Sequence, residues 1–297
     1  FIKTGNPKAE NPEIKILFLG GSTTETLFVP VEQRFPSIVE RTLREKLDQD
    51  IEVYNSGVSG NNSMHSLLIL LSKGIPLKPS HAVLMHNIND FGLLFKSESY
   101  WVAPISRSLF LDSKRLTHKT IEDSTRTKTF NFLKSAKDIL IPNLYIYLRP
   151  RLLANVELHV DEFSNFREKK FDDLNIEAYE GQFSSALISF IELSRAWNIE
   201  PILMTQANRI DPSELYFQKW FEDNNQGEMN IEQFAELYKI FNNIIRKIAQ
   251  EKEIVLIDLD LLIPKTNEFI YDTVHLNNAG SILAAESISA ALIKTIN

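Results

Sequence analysis

The chain of 297 residues contains no cysteine. This absence excludes disulfides, thiolate metal sites and thiol redox chemistry, although it fits either side of a membrane. The chain also lacks an excess of positive charge: its 32 Lys and Arg residues are outnumbered by 39 Asp and Glu residues, and the formal net charge of −7 argues against a general nucleic-acid binder. No apolar run approaches the roughly 20 residues of a membrane-spanning helix. Without repeats or low-complexity tracts, the sequence indicates an ordinary globular chain that is long enough to bury a large core.

The first stretch, Phe1–Glu13, is polar and contains two prolines, so it predicts an N-terminal arm ahead of the main domain. Because the chain starts with Phe1 rather than Met, we expect that a preceding segment was removed. A signal or a membrane anchor would be such a segment. The residues do not settle the compartment; we favour an extracytoplasmic location, in a bacterial periplasm or at the cell surface, with membrane proximity through that segment.

Short apolar runs alternate with amphipathic stretches along most of the chain. The runs predict five strands, at Ile14–Leu19, Ile51–Tyr54, Ala82–Met85, Pro201–Thr205 and Ile254–Leu259. The amphipathic stretches predict helices at Val31–Leu47, Met64–Leu71, around Phe183–Ile191, at Ile231–Ile248 and at Ile282–Ile296. Strands that alternate with helices favour a parallel sheet covered on both faces. We therefore expect an α/β protein, a three-layer α/β/α sandwich with a flavodoxin-like sheet of about five strands.

The periodic pattern breaks from Phe91 to Glu180, a stretch too long for a simple connection. We expect a large, mostly helical insertion there (91–180) within a single domain of residues 14–297. The stretch from Phe91 to Arg151 contains 11 Lys or Arg residues and 5 Asp or Glu residues. Its local net charge is therefore +6, in a protein that is acidic as a whole. One interpretation is a solvated helical subdomain. The other is a cap that shapes a substrate cleft, binds sugar rings on its aromatic residues, or faces an anionic surface.

A candidate nucleophile follows the first strand, in the stretch Lys15–Thr24. Its two glycines allow a sharp turn, which leaves the Ser22 hydroxyl at the carboxyl end of a strand, where open α/β sheets build their sites. By itself this pattern is more typical of a plain turn. Near the other end of the chain, however, Asp272 and His275 lie three residues apart. His275 would take the proton of Ser22 and Asp272 would fix the imidazole tautomer, which is the chemistry of acyl transfer.

Two further polar segments, Asn55–Asn61 and Asn87–Asp90, follow the second and third predicted strands. Each alone is compatible with an ordinary turn or a helix cap. Because the carboxyl ends of parallel strands meet at one edge of the sheet, all of these segments would converge there. Their coincidence at a single edge favours a functional site over separate turns.

Four short blocks of the sequence resemble, in order and spacing, those of the SGNH (GDSL-like) hydrolases. They are Gly20-Gly21-Ser22-Thr23-Thr24, Asn55-x-Gly57-x-x-Gly60, Asn87-Ile88-Asn89-Asp90 and Asp272-x-x-His275. The resemblance covers Ile14–Asp90 and roughly Phe183–Ile296. It implies a catalytic set of Ser22, Asp272 and His275, and an oxyanion hole made by the backbone N–H groups of Ser22 and Gly60 and the side-chain amide of Asn89.

The chain departs from that family at two positions. Gly21 replaces the usual aspartate of Gly-Asp-Ser, and Asn87 stands where glycine is frequent. Neither change removes a reacting group, but we expect both to alter how tightly the loops are held.

The resemblance implies a serine esterase that hydrolyses small O-acyl esters, and we favour O-acetyl groups on a bacterial polysaccharide or glycoconjugate. The alternatives are an O-acetyltransferase with the same catalytic residues and a catalytically inactive carbohydrate-binding protein. We expect an ester or acylated carbohydrate as the ligand, no nucleic acid, and no cofactor or metal. The remaining histidines, which show no metal-ligand spacing, are His65, His81, His86, His118 and His159. His86 is predicted to be merely packed.

Overall fold

A computed structural model of the chain describes residues 2–3, 12–101, 174–215, 217–219 and 230–296. Within these ranges the strands are β1 (Ile2–Lys3), β2 (Ile14–Gly20), β3 (Ile51–Gly57), β4 (His81–Met85), β5 (Glu200–Met204) and β6 (Val255–Ile257). They form one sheet in the order β1-β3-β2-β4-β5-β6. Strands β2 to β6 are mutually parallel, which confirms the predicted five-stranded parallel sheet. The short β1 was not predicted; it pairs antiparallel with β3 from within the expected N-terminal arm.

Helices cover both faces of this sheet. They are α1 (Ser22–Glu25), α2 (Phe35–Leu47), α3 (Ser63–Ile69), α4 (Ile88–Ser97), α5 (Ile176–Ala196), α6 (Ile231–Glu251), α7 (Leu259–Leu262) and α8 (Asn278–Ile296). Short 3-10 turns lie at Val31–Gln33 and Ile75–Leu77, and a π turn lies at Leu70–Gly74. α2 and α8 pack on one face, while α3, α4, α5 and α6 contribute to the core on the other. The three-layer α/β/α architecture is therefore confirmed.

The alternation of side chains along β2 divides the core into two parts. Ile16 and Phe18 point into the cluster beneath α2 and α8, whereas Leu17 and Leu19 point into the cluster beneath α4, α5 and α6. This is why the strand is apolar from Ile16 to Leu19 rather than alternating with polar residues. Both clusters are fully buried at this strand, so the turn that follows it rests on a rigid support.

The last helix, α8, is long and apolar enough to cross a membrane by composition alone, with a mean hydropathy of 1.3. In the structure, however, the apolar side chains of α8 pack against the rest of the protein. Ala284, Ile288 and Leu292 are fully buried in the cluster that α8 shares with α2. The apolar stripe of α8 is thus part of the protein core.

Several predicted boundaries are wrong. The second strand runs to Gly57 rather than Tyr54, so Asn55 lies in β3, and the helix predicted from Val31 begins at Phe35. The strand predicted at Ile254–Leu259 ends at Ile257, because the chain turns at Asp258 into α7; the Asp258 carboxylate accepts hydrogen bonds from Thr205 Oγ1 (2.7 Å) and from Arg246 (2.7 Å). The periodic pattern also does not stop at Phe91. α4 continues to Ser97 with its apolar side in the core. The predicted insertion, 91–180, falls mostly outside the described residues.

Candidate active site

The turn after β2 presents the candidate nucleophile. β2 ends at Gly20, and α1 begins at Ser22 after a single intervening glycine. Since the first N–H groups of a helix have no intrahelical acceptor, the N–H of Ser22 is available to an anion near its own hydroxyl. Ser22 is half-buried, so its hydroxyl remains within reach of a substrate.

The loop before α8 brings the histidine and the aspartate to this hydroxyl. His275 Nε2 lies 2.8 Å from Ser22 Oγ, and His275 Nδ1 lies 2.6 Å from Asp272 Oδ2. The other carboxylate oxygen of Asp272 accepts hydrogen bonds from the backbone N–H groups of Val274 (2.9 Å) and His275 (2.7 Å). One carboxylate therefore closes the turn and orients the imidazole ring at the same time.

The environment of Asp272 favours its ionised form. Burial by itself would raise the pKa of Asp272, but the hydrogen bond and the charge of the His275 ring, together with two backbone N–H groups, hold this pKa below its ordinary value. The His275 side chain is only 18% exposed. At neutral pH an ionised carboxylate thus faces Nδ1 of the ring, which fixes the tautomer and stabilises an imidazolium.

Two of the predicted oxyanion-hole residues lie next to the Ser22 turn. Gly60 has φ 82°, in the left-handed region that favours glycine, and it precedes Asn61 in the loop after β3. The Asn89 side-chain amide donates a hydrogen bond to the carbonyl of Asn61 (2.7 Å). Because the amide nitrogen carries two hydrogens, one remains for a substrate oxygen.

The first departure from the family pattern has a steric reason. A Cβ atom at Gly21 would lie 2.5 Å from Asn89 Nδ2 and 3.1 Å from the Asn61 carbonyl oxygen. The amide of Asn89 therefore occupies the space beside residue 21, directly before Ser22. A side chain at position 21 would force this amide to move.

The second departure, Asn87, holds the segment before α4 in place through its side chain. Asn87 Nδ2 donates to the carbonyl of Tyr238 (3.0 Å) and to Asn242 Oδ1 (2.9 Å). Asn87 immediately precedes α4, and both acceptors lie on α6. The segment that carries Asn89 is therefore anchored to a neighbouring helix.

Several supporting residues were not singled out from the sequence. Glu25 Oε2 accepts hydrogen bonds from the backbone N–H (2.8 Å) and the hydroxyl (2.5 Å) of Ser59. Glu25 belongs to α1 and Ser59 directly precedes Gly60. A carboxylate therefore ties the nucleophile helix to the loop that carries a predicted oxyanion donor.

Gln206, directly beyond β5, connects three elements beneath the site. Its Nε2 donates to Thr23 Oγ1 (2.7 Å), while its Oε1 accepts from the backbone N–H of Ile88 (3.1 Å) and from the hydroxyl of Tyr238 (2.7 Å). Gln206 is buried, so these bonds are shielded from water. It fixes α1 relative to the start of α4.

Arg209 supports the loop that contains Asp272. Its backbone N–H donates to the carbonyl of Thr273 (2.8 Å), and its guanidinium donates to the carbonyl of Ile270 (3.1 Å). The guanidinium also lies 4.8 Å from the centre of the Phe217 ring. A buried arginine thus holds the chain on both sides of Asp272.

A second serine–histidine–aspartate group, formed by Ser66, His86 and Asp90, is buried next to Asn89. Ser66 Oγ lies 2.7 Å from His86 Nε2, and Asp90 accepts hydrogen bonds from the hydroxyl of Tyr100 (2.6 Å) and the N–H of Ser63 (2.9 Å). Burial, with a smaller effect of nearby charge, lowers the pKa of His86 to about 3, and burial raises the pKa of Asp90 to about 6. His86 is buried, which confirms that it is a packed residue.

Within the described ranges, no three histidine or acidic side chains are grouped as metal ligands would be. The arrangement at Ser22 instead provides a hydroxyl, a base, a carboxylate that orients the base, and N–H donors. These are the groups needed for attack on a carbonyl carbon.

The structure is similar to several solved structures. The acetyl xylan esterase AlAXEase shares 18% identity at a TM-score of 0.51, over 94% of this chain and 100% of that chain. A catalytic mutant of Axe2, an acetylxylan esterase from Geobacillus stearothermophilus, shares 14% identity at a TM-score of 0.52, over 95% of each chain. A Parabacteroides merdae protein described as a GDSL-like lipase shares 14% identity at 0.51, over 96% of this chain and 98% of that chain. No protein-family profile and no curated protein sequence matches the chain. At these identities the likeness establishes the fold.

Proposed function

We propose that this chain, which has the fold of the SGNH (GDSL-like) hydrolases, is a serine esterase that hydrolyses small O-acyl esters. The observation that carries this proposal is the 2.8 Å distance between Ser22 Oγ and His275 Nε2, with Asp272 on the opposite side of the imidazole. A serine hydroxyl is a weak nucleophile until a base takes its proton. At this distance His275 can do so without any rearrangement.

In the first half of the reaction, Ser22 Oγ bonds to the carbonyl carbon while its proton passes to His275 Nε2. The carbonyl oxygen becomes an oxyanion, which the N–H groups of Ser22 and Gly60 and the amide of Asn89 stabilise. The carbon–oxygen bond to the alcohol then breaks. The imidazolium gives its proton to the departing alkoxide, which is released as an alcohol. The acyl group remains bound to Ser22 Oγ.

In the second half, water repeats these steps in the place of the alcohol. His275 takes a proton from the water molecule, and the hydroxide oxygen bonds to the acyl carbon. When the new oxyanion collapses, the bond to Ser22 Oγ breaks and His275 returns the proton to that oxygen. The carboxylic acid leaves and the site regains its starting state. The ionised Asp272 stabilises the imidazolium in both halves.

As substrates we propose O-acetyl esters of carbohydrates. Two solved structures of this fold are described as acetyl xylan esterases, which supports an acetylated sugar as the class to test first. The proposed acceptor is water. An extracytoplasmic location, where such polysaccharides occur, is part of the same proposal.

The test compares wild type with Ser22→Ala and with Ser185→Ala, which changes an exposed serine on α5. Acetate release from an acetyl ester and labelling by a fluorophosphonate are measured for each. Wild type and Ser185→Ala should react and Ser22→Ala should not, with all three showing the same thermal unfolding. Wild-type turnover by a folded Ser22→Ala protein would rule out the serine mechanism.

A second measurement separates hydrolysis from transfer. An acetyl donor is supplied with and without an oligosaccharide acceptor, and both free acetate and acetylated sugar are followed. We expect free acetate to dominate. Faster formation of acetylated sugar would identify a transferase with the same catalytic residues.

A further inference from the structure

Two exposed aromatic side chains, Phe28 and Tyr271, lie beside the candidate base and are called here the aromatic shelf. The Phe28 side chain is 67% exposed and Tyr271 is 41% exposed. Their ring centres are 5.8 Å apart in an edge-to-face arrangement, and the Tyr271 ring stacks on the His275 ring at 5.7 Å with 16° between the planes. Single exposed apolar residues are common on protein surfaces, but these two contact each other, and Tyr271 also contacts the ring of the proposed base.

The backbone brings Phe28 to this position through an unfavourable turn. Thr26 ends α1 with φ 48° and ψ 47°, in the left-handed region that β-branched residues rarely adopt. Its hydroxyl is buried and has no hydrogen-bond partner among the described residues. Such local strain clusters at binding and catalytic sites. Here it turns the chain so that Phe28 comes to lie against Tyr271.

Because the aromatic shelf lies next to His275, the role of His275 determines which half of the ester contacts the shelf. In the proposed esterase reaction, on which this inference rests, His275 Nε2 gives its proton to the leaving alcohol oxygen. That oxygen must therefore come within hydrogen-bond distance of the imidazole ring, while the carbonyl oxygen lies at the N–H donors of Gly60 and Asn89. The alcohol half of the substrate is thus the half that lies closest to the shelf.

The shape of the shelf favours a ring over an alkyl chain. The depression lined by Thr26, Leu27, Phe28, Tyr271, His275 and Leu276 has a volume of only about 10 Å³. This is about the room for one water molecule, so the described residues around the shelf leave no slot for an alkyl chain. A pyranose ring, which has an apolar C–H face and polar edges, can instead lie flat on an open aromatic surface with its hydroxyl groups in water.

We propose that Phe28 and Tyr271 form the subsite for the sugar ring whose hydroxyl carries the acyl group. They determine specificity by binding the alcohol half of the ester. Phe28 is the more informative position to change, because Tyr271 adjoins Asp272 and contacts the base.

The experiment measures kcat and KM of wild type, Phe28→Ala, Phe28→Trp and Trp197→Ala on three esters. These are a methyl β-xylopyranoside carrying one acetyl group, ethyl acetate and hexyl acetate. For Phe28→Ala, we expect the ratio of kcat/KM on the sugar ester to kcat/KM on ethyl acetate to fall about tenfold, mostly through KM, because a stacking contact is lost. Phe28→Trp should restore the ratio. Trp197→Ala, which removes an exposed aromatic side chain at the end of α5, should leave it unchanged.

Three results would overturn the subsite. The first is an equal loss on the sugar ester and ethyl acetate, which would indicate a structural role for Phe28. The second is a loss confined to hexyl acetate, which would indicate an alkyl-binding surface. The third is failure of Phe28→Trp to restore the ratio.

Failure of the proposed esterase is recognised separately, as absence of both ester turnover and fluorophosphonate labelling in wild type. Binding then decides the subsite. Calorimetry with the monoacetylated xylopyranoside compares Ser22→Ala with Ser22→Ala carrying Phe28→Ala. Weaker binding by the double variant supports the shelf, and equal or absent binding rejects it.

Discussion

Replacing Asn89 by alanine tests the proposed oxyanion hole most directly. In the structure, one N–H of the Asn89 amide is engaged by the carbonyl of Asn61, and its nitrogen lies beside Gly21. The change therefore removes the donor that we propose for the oxyanion and also the hydrogen bond to the loop that carries Gly60. Both effects act on charge that develops in the transition state.

The magnitude follows from these contacts. Loss of one oxyanion donor typically raises the barrier by about 3 kcal/mol, or roughly 10²–10³ in kcat. Release of the Asn61 tether adds about 1 kcal/mol if it is an ordinary hydrogen bond. We expect kcat to fall by about 10³, with little change in KM, because the ground-state ester carries no oxyanion.

The assay follows acetate release at several concentrations of one acetyl ester, with unfolding curves recorded in parallel. Asn278→Ala is the matched control, because it removes an exposed asparagine whose side-chain amide donates to Gln33 Oε1 (2.7 Å) in the 3-10 turn at Val31–Gln33. A raised KM with an unchanged kcat for Asn89→Ala would refute the reasoning. Asn89 would then bind substrate, and the oxyanion donor would have to be sought elsewhere.

Three further predictions concern residues that support the site. Glu25→Gln weakens the attachment of Ser59, so kcat should fall about fivefold with KM unchanged, measured on the same ester. Arg209→Met removes the hydrogen bond to the Ile270 carbonyl, so fluorophosphonate labelling should slow about three- to tenfold as the turn at Asp272 loosens. Asp90→Asn should alter the pH dependence of stability. The pKa of Asp90 rises from 3.8 in the unfolded chain to about 6 in the folded protein, so wild type loses about 3 kcal/mol of stability relative to this variant as pH increases from about 3 to 7.

Each of these predictions has a result that would contradict it. Glu25→Gln acting through KM alone would place Glu25 in substrate binding. Unchanged labelling of Arg209→Met would show that the backbone bond from residue 209 to Thr273 suffices. The comparison at Asp90 is made as a difference between wild type and variant, because His86 remains in both and its depressed pKa removes stability as pH falls. A pH-independent difference would show that Asp90 ionises normally.

The edge of the sheet where the site lies could be predicted from local pattern. Strands such as Ile14–Gly20 are apolar on both faces, so each polar residue after them stands out as a strand end. Parallel pairing then requires these ends to meet. The strand pattern and the spacing Asp272-x-x-His275 were enough to predict that Ser22 and His275 lie at this edge, whereas the role of Asn89 was predicted from the resemblance to the SGNH hydrolases.

The supports of the site could not be predicted in this way. Gln206 joins Thr23 and Ile88, which are 183 and 118 residues away from it in sequence. A single buried glutamine leaves no periodic signal, and its partners are defined only once the strands are paired. By contrast, α4 does carry a sequence signal, since Phe91, Leu94 and Phe95 have helical spacing and all three are buried in the core. The expected N-terminal arm, the insertion and the location remain predictions.

The hydrogen bond between His275 and Ser22 spans 253 residues of sequence, and this has a consequence for biosynthesis. At synthesis rates of about 5–20 residues per second, on the order of 10–50 s separate the appearance of the two residues. Throughout that interval Ser22 has no base beside it. Its hydroxyl is therefore as unreactive as that of any serine on a protein surface. Under the proposed mechanism, the nascent chain gains reactivity only when α8 and the loop before it dock, so a ribosome-bound or prematurely terminated chain does not react with esters around it.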